Sequence, residues 1–480
     1  MNVHNSLMQS LLHALIPLLL CLSANAQEAG YHVDDTIELA TLGNGNADHA
    51  AIAINHFGDT VIVNHTSATS TQKAVELNAL APLGMARSDG FKLFNTRQLA
   101  DPSLNIFGVG NDHCSKPDVE SLGDGSFLAV WSRHDLSGVQ PSRIEICKIS
   151  TRNIFGNLLP QVRILTTRTG EGFLLDDTSN SGDAGFMPDI ASSKAAGSTK
   201  AMVVFAHEQS AYISQTNTFR DYDLRVKKIY WPPDSSSPTL GPLVTLETNI
   251  PIDNVNATPY AGGLVLPDAV IDDVGALTIV YESYVIAPHH GHFGPPEGFI
   301  QLRRYSPNLS LLNEITFHGH GTERHQRRPM IATSDQDATN KLILGWNDID
   351  DNRSLAHRAQ FRSVTFTGNT SGHTTPTVIP WDESFGHKDD LANVAMSKYS
   401  KLVMATRTLL NRKVLYGTFM QTRKPPANNE FARNSELPWR PAMAIHDLPD
   451  SRSLNYLCFE GPSASDPSLN RIHLTIHILR

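Results

Sequence analysis

The chain alternates short apolar runs with turns rich in Gly, Asp and Pro, most clearly between residues 117 and 166. This stretch opens with Pro117-Asp118-Val119, turns at Gly123-Asp124-Gly125 and enters the alternating run Phe127-Leu128-Ala129-Val130-Trp131. Two further runs follow, Arg143 to Ile149 and Val162 to Thr166. Runs of this length with such punctuation indicate β-strands joined by hairpins. Four successive runs predict one four-stranded antiparallel sheet.

The same order of runs recurs along the chain, which indicates an internal repeat. The second-strand runs of the other copies are Thr60 to Val63, Met202 to Phe205, Leu277 to Tyr281, Leu342 to Trp346, Leu402 to Ala405 and Leu454 to Phe459. Seven units spaced about 50 to 80 residues apart are typical of propellers, solenoids and arrays. Four strands in each unit favour a propeller. We therefore predict an all-β, seven-bladed β-propeller, with two unrelated β-sandwiches as the alternative.

The two ends of the repeat complement each other. The last unit has only three runs, Pro441 to Ile445, Leu454 to Phe459 and Ile472 to Leu479. An isolated run, Asp35 to Leu42, precedes the first full unit. If this run supplies the missing strand, two sheet edges that would otherwise be exposed become paired. The prediction is a ring closed by an N-terminal strand that completes the last blade.

The N-terminal segment has the pattern of a signal peptide. An apolar run, Leu15 to Leu22, is followed by Ala24-Asn25-Ala26, which fits a signal peptidase site. A lipoprotein signal would need a small residue before Cys21, and Leu20 stands there. No later segment has the ~18 uninterrupted apolar residues that a transmembrane helix needs. We predict a signal peptide at 1–26, a single propeller domain at 27–480, and a secreted or periplasmic protein without a transmembrane segment.

Charge and cysteine content exclude several classes of protein. The formal net charge of −9 is modest for 480 residues and no basic stripe is present, so nucleic acid is not an expected partner. After signal cleavage three cysteines remain, Cys114, Cys147 and Cys458, which exclude a disulfide framework. Cys147 and Cys458 lie inside apolar runs and are expected to be small buried residues. Because the net charge is negative, an anionic ligand would need a local cationic site. We expect the protein to be a monomer.

Histidine recurs at one position of the predicted blades. In a propeller, the loop that enters the first strand of a blade shares a face with the loop that leaves its second strand. His113, His325 and His387 stand four residues before the start of a unit, and Arg133-His134 and His207 follow a second strand. The chain has 21 histidines, so any single one is more often an ordinary strand or loop residue. Their recurrence predicts a shared cavity, where histidine can act as acid, base or metal ligand.

The segment from Asn111-Asp112-His113 through Pro117 and Trp131 to Arg133-His134 resembles a signature of secreted seven-bladed polysaccharide lyases of the ulvan lyase type. In that family, one histidine before the first strand of a blade and one after its second strand face the substrate cleft. The resemblance implies that His113 and His134 hold these two places. It also implies an anionic polysaccharide as the ligand.

The resemblance further implies β-elimination at a uronic acid. In this chemistry a base removes the proton at C5, cationic groups neutralise the carboxylate, and an acid protonates the leaving oxygen. His113 would be the base or the acid, and His134 with Arg133 would hold the carboxylate. The family also uses a Tyr and an Arg from the next blade, and here Phe186 and His207 stand at those positions.

The long loop predicted after the second strand of the third blade offers substitutes for these two residues. Tyr212 is the predicted catalytic tyrosine, and whether the base is a histidine or this tyrosine stays open. Arg220 is the predicted cation from the same loop. The predicted substrate-binding residues are Arg133, His207, Arg220, His325 and His387.

A non-catalytic propeller that binds a glycan or a protein at the same face is the alternative, since one fold hosts many functions. A glycosidase would need carboxylates paired about the scissile bond, and repeated Asp-box turns of the sialidase kind are not evident. The lyase chemistry requires no cofactor. His289, His290 and His292 are the candidate ligands of a structural zinc, although no paired ligand spacing supports the site. Polar residues alternate at 177–183 and 348–352 as in calcium loops, without the full EF-hand pattern.

Overall fold

The computed structural model describes residues 36–479 apart from several segments. Those segments are 43–44, 68–71, 83–90, 105, 107–111, 136–141, 176–183, 214–217, 234, 254–266, 273, 286–296, 318–323, 334–340, 351–355, 368–371, 374–376, 379–388, 397–400, 409–413, 421–428, 432–440 and 449–452. The predicted signal peptide, residues 1–26, lies outside the described residues. Among the described residues, no helix is both long enough and apolar enough to cross a membrane.

The described strands form seven antiparallel sheets, which we number as blades 1 to 7. Strand β1 (Thr36–Glu38) precedes blade 1. Blade 1 contains β2 (Ala47–Ile54), β3 (Thr60–Ser67), β4 (Lys73–Pro82), β5 (Phe91–Leu93) and β6 (Arg97–Ala100). A short 3-10 helix (Pro102–Leu104) leads to blade 2, which contains β7 (Asp112–Ser121), β8 (Phe127–Asp135), β9 (Arg143–Arg152), β10 (Leu158–Leu165) and β11 (Phe173–Leu174).

Blades 3 and 4 have four strands each. Blade 3 contains β12 (Ala184–Ser192), β13 (Lys200–Ile213), β14 (Thr218–Tyr230) and β15 (Thr239–Asp253). Blade 4 contains β16 (Asp268–Ile271), β17 (Leu277–Val285), β18 (Glu297–Tyr305) and β19 (Leu311–Phe317).

The last three blades continue the same order. Blade 5 contains β20 (Arg324–Thr333), β21 (Lys341–Asp350), β22 (Ala356–Thr367), β23 (Gly372–His373) and β24 (Thr377–Val378). Blade 6 contains β25 (Asp389–Met396), β26 (Lys401–Thr408), β27 (Val414–Met420) and β28 (Asn429–Phe431). Blade 7 contains β29 (Ala442–Asp447), β30 (Ser453–Pro462) and β31 (Asn470–Leu479). Each blade coincides with one unit of the repeat predicted from the sequence.

Strand β1 completes blade 7. It pairs antiparallel with β31, where Ile37 lies opposite Leu474. The Glu38 carboxylate also accepts hydrogen bonds from the Ser463 hydroxyl and from the backbone N–H of Ala464, each at 2.7 Å. The predicted closure by an N-terminal strand is confirmed.

The seven blades form a closed ring. The first strand of each blade contacts the first strand of the next, and β29 of blade 7 contacts β2 of blade 1. Apolar side chains fill the space between neighbouring blades: Val63 shares a buried cluster with Trp131 of blade 2, and Ile62 with Tyr456 of blade 7. Because β8 has a neighbouring blade on each face, its run from Phe127 to Trp131 is buried throughout. The predicted all-β, seven-bladed propeller is confirmed.

The first strands of blades 1, 2 and 3 share a β-bulge near the end at which they begin. The pairing of each with its second strand shifts register there. The bulged residues His49, Lys116 and Met187 have positive φ angles of 53°, 52° and 51°. Such a backbone conformation costs a non-glycine residue about 1–3 kcal/mol. Bulges redirect side chains and often lie beside functional sites.

The three described cysteines are buried inside the blades as free thiols. Burial raises the pKa of Cys114, Cys147 and Cys458. The expectation that Cys147 and Cys458 are small buried residues is confirmed.

Candidate functional site

Several predicted site residues lie at the end of the ring where the first strands begin and the second strands end. His113, near the start of β7, lies opposite His134, near the end of β8. His207 of β13 lies opposite Gly185, near the start of β12. His325 is at the start of β20. The blade register therefore brings these four backbone positions to one end of the propeller.

The His113 and His134 rings are neighbours, with centroids 6.1 Å apart and planes inclined by 44°. His134 Nδ1 lies 2.6 Å from Ser142 Oγ, and its Nε2 lies 2.9 Å from Ser115 Oγ. Burial lowers the pKa of His134 to about 3, and the electrostatic interactions with His113 and Lys116 act in the same direction. His134 is therefore a neutral imidazole held by two hydroxyl groups, and both it and His113 are partly exposed.

Arg133 differs from the sequence prediction. Adjacent side chains of a strand point to opposite faces, so Arg133 points away from His134 and is fully buried. Its guanidinium donates to Glu145 at 2.8 Å and Asp112 at 3.2 Å, and to the Gly170 carbonyl at 2.8 Å. The prediction that Arg133 binds substrate is corrected, because this side chain is enclosed in a charge network inside blade 2. Neither buried Arg133 nor neutral His134 thus offers the cation that the resemblance implied for these two positions.

Tyr212 and Arg220 lie on a β-hairpin and not in the loop that the sequence predicted. Strands β13 and β14 stay paired beyond His207, with Tyr212 opposite Phe219 and Arg220 opposite Ala211. The hairpin therefore extends blade 3 beyond the end of the ring at which His113 and His134 lie.

Other predicted site residues lie outside the described part of the chain. They are His387 and the candidate zinc ligands His289, His290 and His292. The calcium-like segment 177–183 also lies there.

A second polar cluster, at the same end of the ring, belongs to blade 1. Asp48, His49 and His65 each offer one ligand atom, and these atoms lie within 4.8 Å of one another. Lys73 Nζ lies among them, 2.9 Å from Asp48 Oδ2 and 3.2 Å from His65 Nε2. An ammonium group thus already pairs with the Asp48 carboxylate. The cluster is better suited to an internal ion pair than to a metal site.

The His113–His134 pair and the cluster of Asp48, His49 and His65 form one site. Burial lowers the pKa of His65 well below its usual value, and Lys73, Lys116 and His113 add to that effect. Charges from blades 1 and 2 thus act on the same imidazole. Lys116 also donates a hydrogen bond from Nζ to His49 Nε2 at 2.8 Å, which links the blades directly.

Sequence reasoning missed Lys116 and His49. They stand immediately before Pro117 and Ala50, where two of the predicted units begin. The same position is Met187 in the third unit, Leu266 in the fourth, Arg328 in the fifth, Asp390 in the sixth and Arg440 in the seventh. It is polar in five of the seven units, so the sequence pattern alone does not single out Lys116 and His49.

Neither a protein-family model nor a curated protein matches the chain. Solved structures with a similar chain path include a protein of unknown function from Dyadobacter fermentans, 11% identical with a TM-score of 0.42, covering 77% of this chain and 96% of that one. Another is a GH93 α-L-arabinofuranosidase of Fusarium graminearum, 9% identical with a TM-score of 0.41, covering 92% and 97%. A third, an α-L-arabinanase of Penicillium chrysogenum, has the same identity and TM-score and covers 92% and 98%. At these TM-scores the likenesses carry no argument for activity.

Proposed function

We propose that this protein is an exported polysaccharide lyase that cleaves a uronic-acid-containing, ulvan-like polysaccharide by β-elimination. The observation that supports this proposal is the His113–His134 pair at one end of the ring. The His134 ring is neutral and fixed by Ser115 and Ser142, and both rings are partly exposed. A fixed neutral imidazole beside a second imidazole suits a site that moves a proton near neutral pH.

In the proposed reaction His113 takes the proton from C5 of the uronic acid. The electrons of that C–H bond form the C4–C5 double bond, and the bond from C4 to the glycosidic oxygen breaks. The leaving oxygen gains a proton from an acid, a role that we assign to Tyr212 on the blade 3 hairpin. One chain becomes two, one of them ends in an unsaturated uronate, and no water or cofactor is consumed.

The other residues have supporting roles. His134 is a positioning residue, because both of its ring nitrogens are engaged by serines and its ring packs beside His113. His207, Arg220, His325 and His387 remain the proposed contacts of the polysaccharide.

The test is the absorbance of the unsaturated uronate when the protein is mixed with ulvan, pectin, alginate or glycosaminoglycans. His113→Ala should reduce turnover at least about 100-fold, the usual scale for the loss of an acid–base group, without changing the melting curve. His56→Ala is the matched control, because His56 is exposed in the turn at the opposite end of blade 1 and should leave activity unchanged.

Two results would contradict the proposal. Full activity of His113→Ala would refute the mechanism while leaving the lyase function standing. Binding of a polymer without formation of a double bond would refute the lyase function and favour the non-catalytic, glycan-binding propeller.

A further inference from the structure

The bulge of β7 places a lysine where the fold does not require one. Lys116 adopts a left-handed backbone conformation with φ of 52°, and Met187 adopts the same conformation at the equivalent bulge of blade 3. Because methionine serves at that position in blade 3, the bulge requires the backbone conformation and not a positive charge. The lysine in blade 2 therefore calls for a reason beyond folding.

The surroundings of Lys116 point to an anionic ligand. Its positive charge acts on His134 and on His65, and burial keeps both imidazoles neutral. The Asp48 carboxylate of blade 1 is paired with Lys73, at 2.9 Å. Among the described residues, the mouth of the ring near blades 1 and 2 also holds Glu460, whose carboxylate accepts a hydrogen bond from the His49 backbone N–H at 3.0 Å. Lys73 pairs with Asp48, whereas the Lys116 ammonium group lies against the imidazole of His49. An ammonium group set among imidazoles suits a carboxylate better than a divalent cation.

Lys116 is also held in place. Its Nζ donates to His49 Nε2 at 2.8 Å, and His49 Nδ1 lies 2.6 Å from His65 Nε2, which also contacts the Asp48 carboxylate. A chain of polar contacts therefore runs from Lys116 of blade 2 into the interior of blade 1. Such a chain fixes a flexible lysine side chain before any ligand arrives, which reduces the entropy lost on binding.

We propose that the Lys116 ammonium group binds the carboxylate of the uronic acid that His113 deprotonates, with His49 as its positioning residue. This inference rests on the proposed function and supplies the cation that neither Arg133 nor His134 provides. Removal of the C5 proton delocalises negative charge onto the carboxylate, so an adjacent ammonium group stabilises the transition state more than the ground state.

Lys116→Met is the decisive variant, since it recreates the residue that blade 3 carries at the same bulge. We expect an unchanged melting curve and a kcat/KM on the responsive uronate polymer reduced about 100-fold or more, as for the loss of one oxyanion donor. Lys116→Arg, which keeps the charge, should recover part of the activity. Lys92→Met is the control, because Lys92 of blade 1 donates to the Leu159 and Pro160 carbonyls in the outer part of blade 2 and should leave activity unchanged.

A binding experiment separates this inference from the lyase function. In the His113→Ala background, calorimetry measures affinity for ulvan, pectate, alginate and heparin oligosaccharides, and for the same oligosaccharides with their carboxylates reduced to alcohols. Lys116→Met should weaken binding of the tightest acidic ligand at least about 10-fold, the scale of a charge-assisted hydrogen bond, and should not affect binding of its reduced form.

The outcomes discriminate between the two ideas. Double-bond formation that is unchanged in Lys116→Met would overturn the Lys116 assignment and leave the lyase function standing. Loss of affinity in Lys116→Met without double-bond formation by the unsubstituted protein would overturn the lyase function and keep the carboxylate site. Equal affinity of both proteins for every acidic oligosaccharide, or no binding at all, would overturn the assignment.

The positioning role of His49 has its own signature. His49→Ala should raise KM more than it lowers kcat, because the lysine remains present but is no longer held. His49→Gln, whose side-chain oxygen can accept the Lys116 hydrogen bond, should restore KM. If both variants lose stability and kcat equally, His49 is structural and does not position Lys116.

Discussion

Replacement of His134 by Gln should make the stability of the propeller less sensitive to acid. Burial lowers the pKa of His134 to about 3, with His113 and Lys116 acting in the same direction, whereas an imidazole in the unfolded chain has a pKa of about 6.5. Below pH 6.5 the imidazole of residue 134 therefore binds a proton in the unfolded state but not in the folded state. The stability contributed by neutral His134 is complete above about pH 6.5 and is lost progressively as the pH falls towards 3.

The size of the effect follows from the two pKa values. Each pH unit within this window is worth about 1.4 kcal/mol for one group. Between pH 7 and pH 5 the unfolded imidazole becomes almost fully protonated and buried His134 does not, which costs about 2 kcal/mol. His65, whose pKa burial also lowers, adds a loss of the same sign in both proteins. The difference between the wild type and His134→Gln therefore isolates the contribution of His134.

The measurement is urea unfolding followed by tryptophan fluorescence at pH 5, 6, 7 and 8, since Trp131, Trp231 and Trp346 are fully buried reporters. The wild type should lose about 2 kcal/mol more than His134→Gln between pH 7 and pH 5. The exposed His56 is the matched control, and His56→Gln should change this loss much less. If the wild type and His134→Gln lose stability in parallel, His134 is not a buried neutral imidazole.

Two further variants test the fold and the correction to the predicted site. Deletion of residues 27–45 removes β1 and the buried Leu39, and should lower the free energy of unfolding by at least ~2 kcal/mol, the scale of one buried leucine. Deletion of residues 27–34 is the control. Equal melting temperatures of the two deletion variants would contradict ring closure. Arg133→Met removes the buried cation between Asp112 and Glu145, of which Glu145 keeps Arg143, and should cost about 3–5 kcal/mol in urea unfolding. The control is Arg168→Met, which breaks a largely exposed ion pair and should cost less than about 1 kcal/mol. Similar losses of stability in the Arg133 and Arg168 variants would show that Arg133 is not a buried structural cation.

The blade count, the second strands and the closing strand could be predicted from the amino-acid pattern alone. These features depend on local periodicity: the run from Phe127 to Trp131 is apolar because a blade covers each of its faces, and turns punctuate both of its ends. Ring closure was also predictable, because the last unit lacks one strand and an isolated strand precedes the first unit. Pairing the two leaves neither sheet edge exposed. The backbone neighbours His113 and His134 followed from the same register.

The chemistry of the site was not predictable in this way, because it depends on what surrounds each side chain once the blades meet. Arg133 and His134 are adjacent in sequence, yet one is enclosed by buried carboxylates and the other by two hydroxyl groups. Lys116 and His49 are 67 positions apart, and only the packing of blade 2 against blade 1 brings them within hydrogen-bond distance. The periodicity of the sequence indicates which face of a strand is buried. The charge state of a side chain and the groups that it contacts depend on how distant segments pack around it.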